Sequence, residues 1–359
     1  MLVNVSFAIE YCHANGDHFE PLVISDLVSL SYDNRANEVA PNSSDSQGNS
    51  RMASKRLHVL MPTFNRKHML DRTLSSLLSQ DADPDLWQLT VVDNASTDDT
   101  TSLLDGYVGE FPNFDYVVND RNLGLFGNLN RCMTLARTEK YMIVHSDDDV
   151  DPTLVSSALN SIDRHPDVKM IFGRCRARFA ETGELVPYWY NSRMLGEEER
   201  MLDRQELLVT LMRSASNFIF APTVIYDRNF FSAELRYSED YKFTSDLDLW
   251  FRVALKDPKV AFLPKPQITC GIHAGRLSST NANAMRLEAI AIIRKYLLAL
   301  RSGPNADLIG ARLALFIKLK LEIYELAIRL HVIPGFKLRR LIAACLELFA
   351  PRPGRRAVT

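Results

Sequence analysis

The chain has 359 residues, 46% of them hydrophobic, and a formal net charge of −2. This length is enough for one large α/β domain with an appendage, or for two domains, and it excludes a small disulfide-stabilised module. A charge so close to zero gives no general attraction to nucleic acid or to an anionic membrane, so we expect no nucleic-acid partner.

The cysteines and the N-terminus bear on location. The five cysteines are widely scattered and form no CxxC pair, as is typical of a reducing cytoplasm. The N-terminal stretch has no basic region before its short apolar run, so it lacks the pattern of a signal peptide or anchor. No stretch approaches the roughly 18 apolar residues of a spanning helix. We therefore expect a cytoplasmic protein.

The first part of the chain changes character near residue 56. Residues 1–55 are polar in their second half and lack a clear period, which predicts a disordered N-terminal extension. Beyond them, strands and helices alternate. The predicted elements are a strand from Leu57 to Pro62, a helix at Lys67–Gln80, strands at Leu89–Asp93 and Tyr116–Val118, a helix at Gly127–Arg137, a strand at Tyr141–His145, a helix at Thr153–Arg164 and a strand at Val168–Gly173. This alternation predicts an α/β fold, with a mostly parallel sheet and helices on both faces.

The pattern becomes entirely helical after residue 280. Helices are predicted at Ala284–Leu300, Asn305–Leu330 and Lys337–Phe349. The last is basic and amphipathic, which suits either peripheral contact with the inner face of the cell membrane or packing on its own domain. We thus divide the chain into the extension, an α/β domain at 56–280 and a C-terminal α-helical appendage at 281–359.

Polar loops follow each of the first four predicted strands. Their sequences are PTFNR, DNASTDD, NDRNLGLFGN and SDDD. Ligands of open α/β sheets bind beyond the carboxyl ends of the strands, so four such loops together predict a binding crevice. Each one alone would also fit an ordinary surface loop.

The most acidic of these loops contains Asp147, Asp148 and Asp149. Their mutual repulsion is costly unless a cation lies among them. Mg²⁺ and Mn²⁺ prefer carboxylate oxygens together with substrate phosphates, and carboxylates two residues apart in a turn can share one ion. The alternative is a solvated acidic loop that caps the helix after it.

Four other residues suggest chemistry. Asp93 ends a strand, where its carboxylate can accept the imide N–H of uracil or thymine or simply form an Asx-turn. Asp246 lies near the start of a helix, where it can deprotonate a hydroxyl or complement the helix dipole. His273 offers an imidazole to a metal and Arg276 can bind phosphate, although both also fit an ordinary surface loop.

Taken together, the stretches HVLMPTFNRKHMLDRTLSSLLSQ, LTVVDNASTDDT and NDRNLGLFGNLNRCMTLARTEKYMIVHSDDD resemble the glycosyltransferase family 2 domain. The resemblance covers Leu57 to Ser279, and it is greatest to bacterial transferases of surface-polysaccharide biosynthesis. It implies a GT-A (Rossmann-like) fold. It also implies an inverting, metal-dependent enzyme that moves a hexosyl or deoxyhexosyl group from a nucleoside diphosphate sugar to a hydroxyl of a glycan or lipid-linked acceptor.

The resemblance also assigns roles to residues. Asp147 and Asp149 would be the DxD pair that holds Mg²⁺ or Mn²⁺ against the diphosphate, with His273 as a further metal or diphosphate ligand. Asp246 would be the catalytic base. Contacts with the nucleotide sugar are expected from Pro62, Thr63, Asn65, Arg66, Asp93, Asn94, Ser96, Asn122, Gly124, Asn128, Asp148 and Arg276.

Two departures from the family pattern keep alternatives open. Ser245 precedes Asp246 where the family often has Glu, so Asp240 and Asp248 are rival positions for the base. His145 stands where many members have Asp, so more than one set of metal ligands is possible. Two other functions also stay open: a nucleotidyltransferase that makes the activated sugar, disfavoured because PTFNR lacks a glycine-rich basic triphosphate loop, and a non-catalytic sugar-nucleotide-binding scaffold.

Overall fold

The computed structural model of the chain describes residues 55–186, 195–214, 217–273, 280–302 and 308–329. The predicted extension, apart from Lys55, and the predicted helix at Lys337–Phe349 lie outside these residues. The strands are β1 (Leu57–Thr63), β2 (Trp87–Asp93), β3 (Phe114–Val118), β4 (Lys140–Ile143), β5 (Asp149–Val150), β6 (Met170–Phe179), β7 (Leu185–Val186), β8 (Arg200–Leu202), β9 (Ile225–Asp227) and β10 (Val260–Ile272). The helices are α1 (Lys67–Leu78), α2 (Thr100–Asp105), α3 (Gly124–Leu135), α4 (Leu154–Arg164), α5 (Arg204–Ser214), α6 (Ser245–Leu255), α7 (Ala282–Ser302) and α8 (Ala311–Arg329).

All ten of these strands join one sheet. Its order is β3-β2-β1-β4-β9-β6-β10-β5, with β7 paired to β6 and β8 paired to β10. Strands β1 to β4, β6 and β10 run in one direction, and β5, β7, β8 and β9 run against it. The mostly parallel sheet is therefore confirmed. Thr63 pairs with Asp93 at the carboxyl ends of β1 and β2, so the loops after these strands begin side by side.

Helices cover both faces of the sheet because the strands are apolar on both sides. In β1, Leu57, Val59 and Met61 join a buried cluster with residues of α1, α2 and α4, whereas Leu60 joins a second cluster with α3 and α5 to α8. The predicted α/β fold with helices on both faces is confirmed by this arrangement.

The helices after residue 280 pack on that second cluster. Ile293 and Ile317 lie in the same buried cluster as Trp250 of α6. Helix α7 is slightly longer than predicted, and α8 begins at Ala311 instead of Asn305, since residues 308–310 are not α-helical. None of the helices in the described ranges combines the length and the apolar character needed to cross a membrane.

Candidate active site

The loops after β1 and β2 are joined by hydrogen bonds around Asn65. This residue has φ +51, a left-handed conformation that Asn adopts more readily than most residues. Its backbone N–H donates to Ser96 Oγ at 2.8 Å, and its Oδ1 accepts from the backbone N–H of Thr97 at 2.8 Å. Asn65 and Ser96 are thus held together at the edge of the sheet.

Asp93 lies fully buried where β2 ends. Its Oδ1 accepts a hydrogen bond from Ser96 Oγ at 2.5 Å. Thr63, its neighbour in register, is also buried, and no group among the described residues hydrogen-bonds its hydroxyl. Pro62 is half-buried within β1, and the ring of Phe64, which the sequence pattern does not single out, is exposed beside them. Buried acceptors with an exposed aromatic ring are features of a base-binding site.

Asparagines shape the loop between β3 and α3. Asn94 Nδ2 donates to Asn122 Oδ1 at 2.8 Å and to the Gly124 carbonyl at 3.2 Å. Asn119 Nδ2 donates to Asn94 Oδ1 at 3.1 Å and to Asn128 Oδ1 at 2.9 Å. Both Asn94 and Asn128 are buried. Their amides hold the loop in shape, and the donor contact expected of them stays a prediction.

The loop that carries the acid triplet is fixed by α1 and by the loop before it. Thr73 Oγ1 of α1 lies 3.1 Å from the carbonyl oxygens of both Ser146 and Asp148. Arg66 Nη1 donates to Asp147 Oδ2 at 2.7 Å. His273 Nε2 lies 3.3 Å from the same oxygen. Residues far apart in the sequence thereby meet at Asp147.

A group of side chains that could hold a metal ion, called here the metal-binding group, is centred on the same loop. Ligand atoms of His145, Asp147 and Asp148 all lie within 4.8 Å of one another. Asp147 and Asp148 are buried, and His145 is half-buried. This group offers two carboxylates and one imidazole, and the imidazole of His273 lies next to Asp147. Such a set of ligand atoms suits Mn²⁺ or another divalent cation.

Asp149 lies outside this group, unlike the predicted Asp147–Asp149 pair. It begins β5 and pairs in register with Thr269 of β10. Its carboxylate lies 3.0 Å from Arg72 Nε and 3.5 Å from Arg178 Nε. Asp148, expected to contact the donor, is instead buried with Oδ2 3.9 Å from His145 Nδ1. Arginines therefore supply part of the positive charge that the acid triplet requires.

Asp246 lies in the first turn of α6. Its Oδ2 accepts a hydrogen bond from Asn217 Nδ2 at 2.5 Å, and its Oδ1 accepts one from the backbone N–H of Leu247 at 2.8 Å. Burial raises the pKa of Asp246 from 3.8 to about 6. A carboxylate with such a pKa can accept a proton near neutral pH and afterwards release it.

The rival positions for the base have other surroundings. Asp240 is exposed and accepts a hydrogen bond from Ser238 Oγ at 3.1 Å. Asp248 is buried and accepts hydrogen bonds from Arg252 Nε and from the Tyr296 hydroxyl, both at 2.8 Å. Although burial opposes this, these contacts lower the pKa of Asp248. A carboxylate held in this way is a weak base, so the geometry favours Asp246.

One short segment connects Asp246 with the metal-binding group. Asn217 donates to Asp246, and three residues later the ring of Phe220 makes an edge-to-face contact with the ring of His145, at 6.2 Å between centroids. Three residues span at most about 11 Å. The candidate base and one candidate metal ligand thus contact opposite ends of the same short segment.

Residues 58–227 match the family model described as Glycosyl transferase family 2. These residues form a glycosyl transferase family 2 domain. The match covers the polar loops and the acid triplet, and it ends before Asp246 and His273.

The chain is also similar to curated proteins and to solved structures. An uncharacterized protein of Mycobacterium tuberculosis is 25% identical over 243 residues, which are 65% of this chain and 72% of that protein. The poly(ribitol-phosphate) beta-N-acetylglucosaminyltransferase TarS of Staphylococcus aureus is 28% identical over 195 residues, 52% of this chain and 31% of TarS. This match therefore spans about a third of TarS.

The crystal structure of TarS residues 1–349 in complex with UDP-GlcNAc superposes with a TM-score of 0.60 at 18% identity. The superposition covers 82% of this chain and 80% of that one. Similarity of this degree shows that the family 2 domain of this chain has the GT-A fold.

Some parts of the candidate site were not assigned a role by the sequence pattern. His145, two residues before Asp147, was noted only as a departure from the family pattern. Asn217 and Glu288, a residue of α7 near the base, lie far from Asp246 in sequence, and no motif marks them. Conversely, the predicted phosphate ligand Arg276 lies outside the described residues.

Proposed function

We propose that this chain transfers a sugar from a nucleoside diphosphate sugar to a hydroxyl of a glycan or lipid-linked acceptor, with inversion at the anomeric carbon. A divalent cation, Mg²⁺ or Mn²⁺, is its cofactor, and the product belongs to a polysaccharide of the cell envelope. Residues 56–280 form the catalytic domain, on the cytoplasmic side of the membrane.

The observation that carries this proposal is the contact of the segment 217–220 with both Asp246 and His145. A general base of pKa about 6 thus lies across one short segment from the metal-binding group. A non-catalytic scaffold has no need of a half-buried carboxylate whose pKa is raised in this way.

The donor is a nucleoside diphosphate sugar, with its base at the ends of β1 and β2. Asp93 offers carboxylate oxygens, Thr63 a buried hydroxyl and Phe64 an exposed ring. These groups suit the imide edge and the face of a pyrimidine. The structure of TarS, which shares the fold, contains UDP-GlcNAc, and this makes uridine nucleotides the first donors to test.

The cation would be held by His145, Asp147 and Asp148, with His273 beside Asp147. When bound, it would supply positive charge to the diphosphate, which becomes more negative as it leaves the sugar. Arg66, already paired with Asp147, provides a second positive charge for the same group.

Asp246 removes the proton of the acceptor hydroxyl, and the resulting oxygen attacks the anomeric carbon opposite the departing diphosphate. Asn217 and the backbone N–H of Leu247 hold the carboxylate in position for this. A single displacement with one base inverts the anomeric configuration, whereas retention through a covalent intermediate would require a nucleophile as well.

A donor-hydrolysis screen with UDP-, GDP- and dTDP-sugars, with and without Mn²⁺, tests the proposal. We expect Asp147→Ala to lose Mn²⁺-dependent donor binding. Asp246→Asn should retain donor binding and lose turnover by about 100-fold or more. Asp240→Asn is the matched control and should keep both. Equal activity of the Asp147 and Asp246 variants and the unchanged chain would contradict the proposal, and so would synthesis of a nucleotide sugar from a triphosphate.

A further inference from the structure

Glu288 of α7 binds the backbone just before α6. Its Oε1 accepts from the N–H of Lys242 at 2.8 Å. Its Oε2 accepts from the N–H groups of Phe243 at 2.9 Å and Thr244 at 2.6 Å, and from the Thr244 hydroxyl at 2.7 Å. A single carboxylate thus accepts four hydrogen bonds from three consecutive residues.

The groups that donate to Glu288 belong to the three residues directly before α6, where backbone N–H groups lack acceptors within the helix. The first N–H groups of a helix have no partner within the helix, and a side chain at the N-cap usually supplies one. Thr244 occupies the N-cap position of α6, but its hydroxyl makes no capping bond and donates to Glu288 instead. Glu288 therefore organises the start of α6 from another helix, two residues before Asp246.

A second connection between the same helices has a different target. Asp248 Oδ1 accepts from the Tyr296 hydroxyl at 2.8 Å and from Lys295 Nζ at 3.1 Å. These contacts also join α7 to α6, but they bind a buried carboxylate and not the segment before the helix. Comparison of the two connections separates general packing of the helices from an effect on Asp246.

We propose that Glu288 is a positioning residue for the catalytic base: by fixing Lys242–Thr244 it sets the position of Asp246 in the first turn of α6. The proposal rests on the proposed function of Asp246. It assigns a part of the transfer machinery to a helix beyond the matched family region.

Charge acts in the same direction as geometry. Burial is the main cause of the raised pKa of Asp246, and the negative charge of Glu288 raises it further. Among the described residues, the phenols of Tyr226 of β9 and Tyr237 also interact with Asp246. Burial raises the pKa of both phenols, so they stay neutral at working pH. Glu288 is thus the charged neighbour of Asp246 on α7.

The test uses the full chain with Glu288→Gln, Glu288→Asp and, as matched control, Tyr296→Phe. Glutamine has one acceptor oxygen in place of two, and it presents an N–H₂ group to backbone donors. For Glu288→Gln we expect kcat of donor hydrolysis to fall about 10- to 100-fold, with KM for the donor nearly unchanged. In the profile of kcat against pH, activity falls on the acid side as Asp246 becomes protonated. The midpoint of this fall should move to lower pH, because the negative charge of Glu288 is lost. Glu288→Asp keeps the charge, so it should restore the midpoint and part of kcat.

Tyr296→Phe should lower the Tm and leave the pH midpoint in place. The pKa of Asp246 is read independently by ¹³C NMR of labelled aspartates, in which the signal absent from Asp246→Asn identifies the residue. This titration needs no turnover, so it tests Glu288 even if no donor is hydrolysed and the proposed function fails. An unchanged Asp246 pKa and midpoint in Glu288→Gln, with a Tm loss like that of Tyr296→Phe, would overturn the proposal.

Discussion

Arg66 and Asp147 form an ion pair at the centre of the candidate metal site, with 2.7 Å between Nη1 and Oδ2. The same oxygen lies 3.3 Å from His273 Nε2. A cation that binds Asp147 must therefore compete with the guanidinium for this carboxylate. In the proposed enzyme, Arg66 would turn from Asp147 to the donor diphosphate, which links donor binding to cation binding.

The first prediction concerns this competition. Arg66→Ala should raise the affinity for Mn²⁺ in the absence of nucleotide by about three- to tenfold, because the pair of half-buried Arg66 with buried Asp147 contributes about 1 kcal/mol. The same variant should bind the nucleotide sugar more weakly. Titration of Mn²⁺ by electron paramagnetic resonance measures the first effect. Arg72→Ala, which removes a partner of Asp149, serves as the control and should change Mn²⁺ affinity less. Weaker Mn²⁺ binding by Arg66→Ala would contradict competition between Arg66 and the cation for Asp147.

The half of the sheet built from β1 to β4 was predictable because its strands are short apolar runs separated by helices of regular period. Strand β10 was not. It contains Pro264 and Pro266, which normally argue against a strand in the interior of a sheet. The structure accommodates them with a register shift between Leu263 and Ile268 in the pairing with β6. Whether a stretch with two prolines forms a strand depends on its pairing with strands that are distant in sequence. The local sequence carries no information on that pairing.

The candidate site shows the same division. The polar loops at the strand ends predicted where the site lies, and Asp147 is at its centre. The Asp147–Asp149 pair stays a prediction: β5 pairs with β10, and Asp149 lies beside Arg72 and Arg178. Asn217 approaches Asp246 only through the fold. Which side chains meet was set by tertiary pairing, which the spacing of acidic residues does not reveal.

The second prediction is a pH profile. Asp246 must be ionised to accept a proton, and its pKa is about 6. The kcat of donor hydrolysis should therefore fall below about pH 6, by about tenfold per pH unit. Profiles at two saturating Mn²⁺ concentrations distinguish protonation of Asp246 from dissociation of Mn²⁺ at low pH. A fall caused by dissociation would move to lower pH at the higher Mn²⁺ concentration, whereas a fall caused by Asp246 would not move. A profile flat down to pH 5 would exclude Asp246 as the base.

The third prediction concerns stability. Because the pKa of Asp246 is about 6 in the folded chain and 3.8 ordinarily, the unfolded chain ionises first as the pH rises. Stability from this group is present in acid and is lost between about pH 4 and pH 6. Asp246→Asn should thus raise the free energy of unfolding near pH 7 by up to about 3 kcal/mol.

Urea denaturation near pH 7 and near pH 4 measures this difference, which should vanish at the lower pH. Asp240→Asn is the matched control, since Asp240 is exposed, and it should leave stability unchanged at both values. A destabilised Asp246→Asn chain near pH 7 would show that the hydrogen bonds from Asn217 and Leu247 outweigh the cost of burying the charge.

The last prediction concerns Gly271 of β10, beside the acid triplet. A Cβ at this position would lie 2.8 Å from the backbone carbonyl oxygen of Asp147, closer than a carbon can approach without a shift of the backbone. Gly271→Ala should therefore displace the Asp147 loop, cost about 1–3 kcal/mol of stability and weaken Mn²⁺ binding by about tenfold. Gly173→Ala in neighbouring β6 is the control, because its Cβ would lie 3.5 Å from the Leu263 carbonyl oxygen, an ordinary contact. Normal Mn²⁺ affinity in a folded Gly271→Ala chain would show that the position of this loop does not matter for the cation.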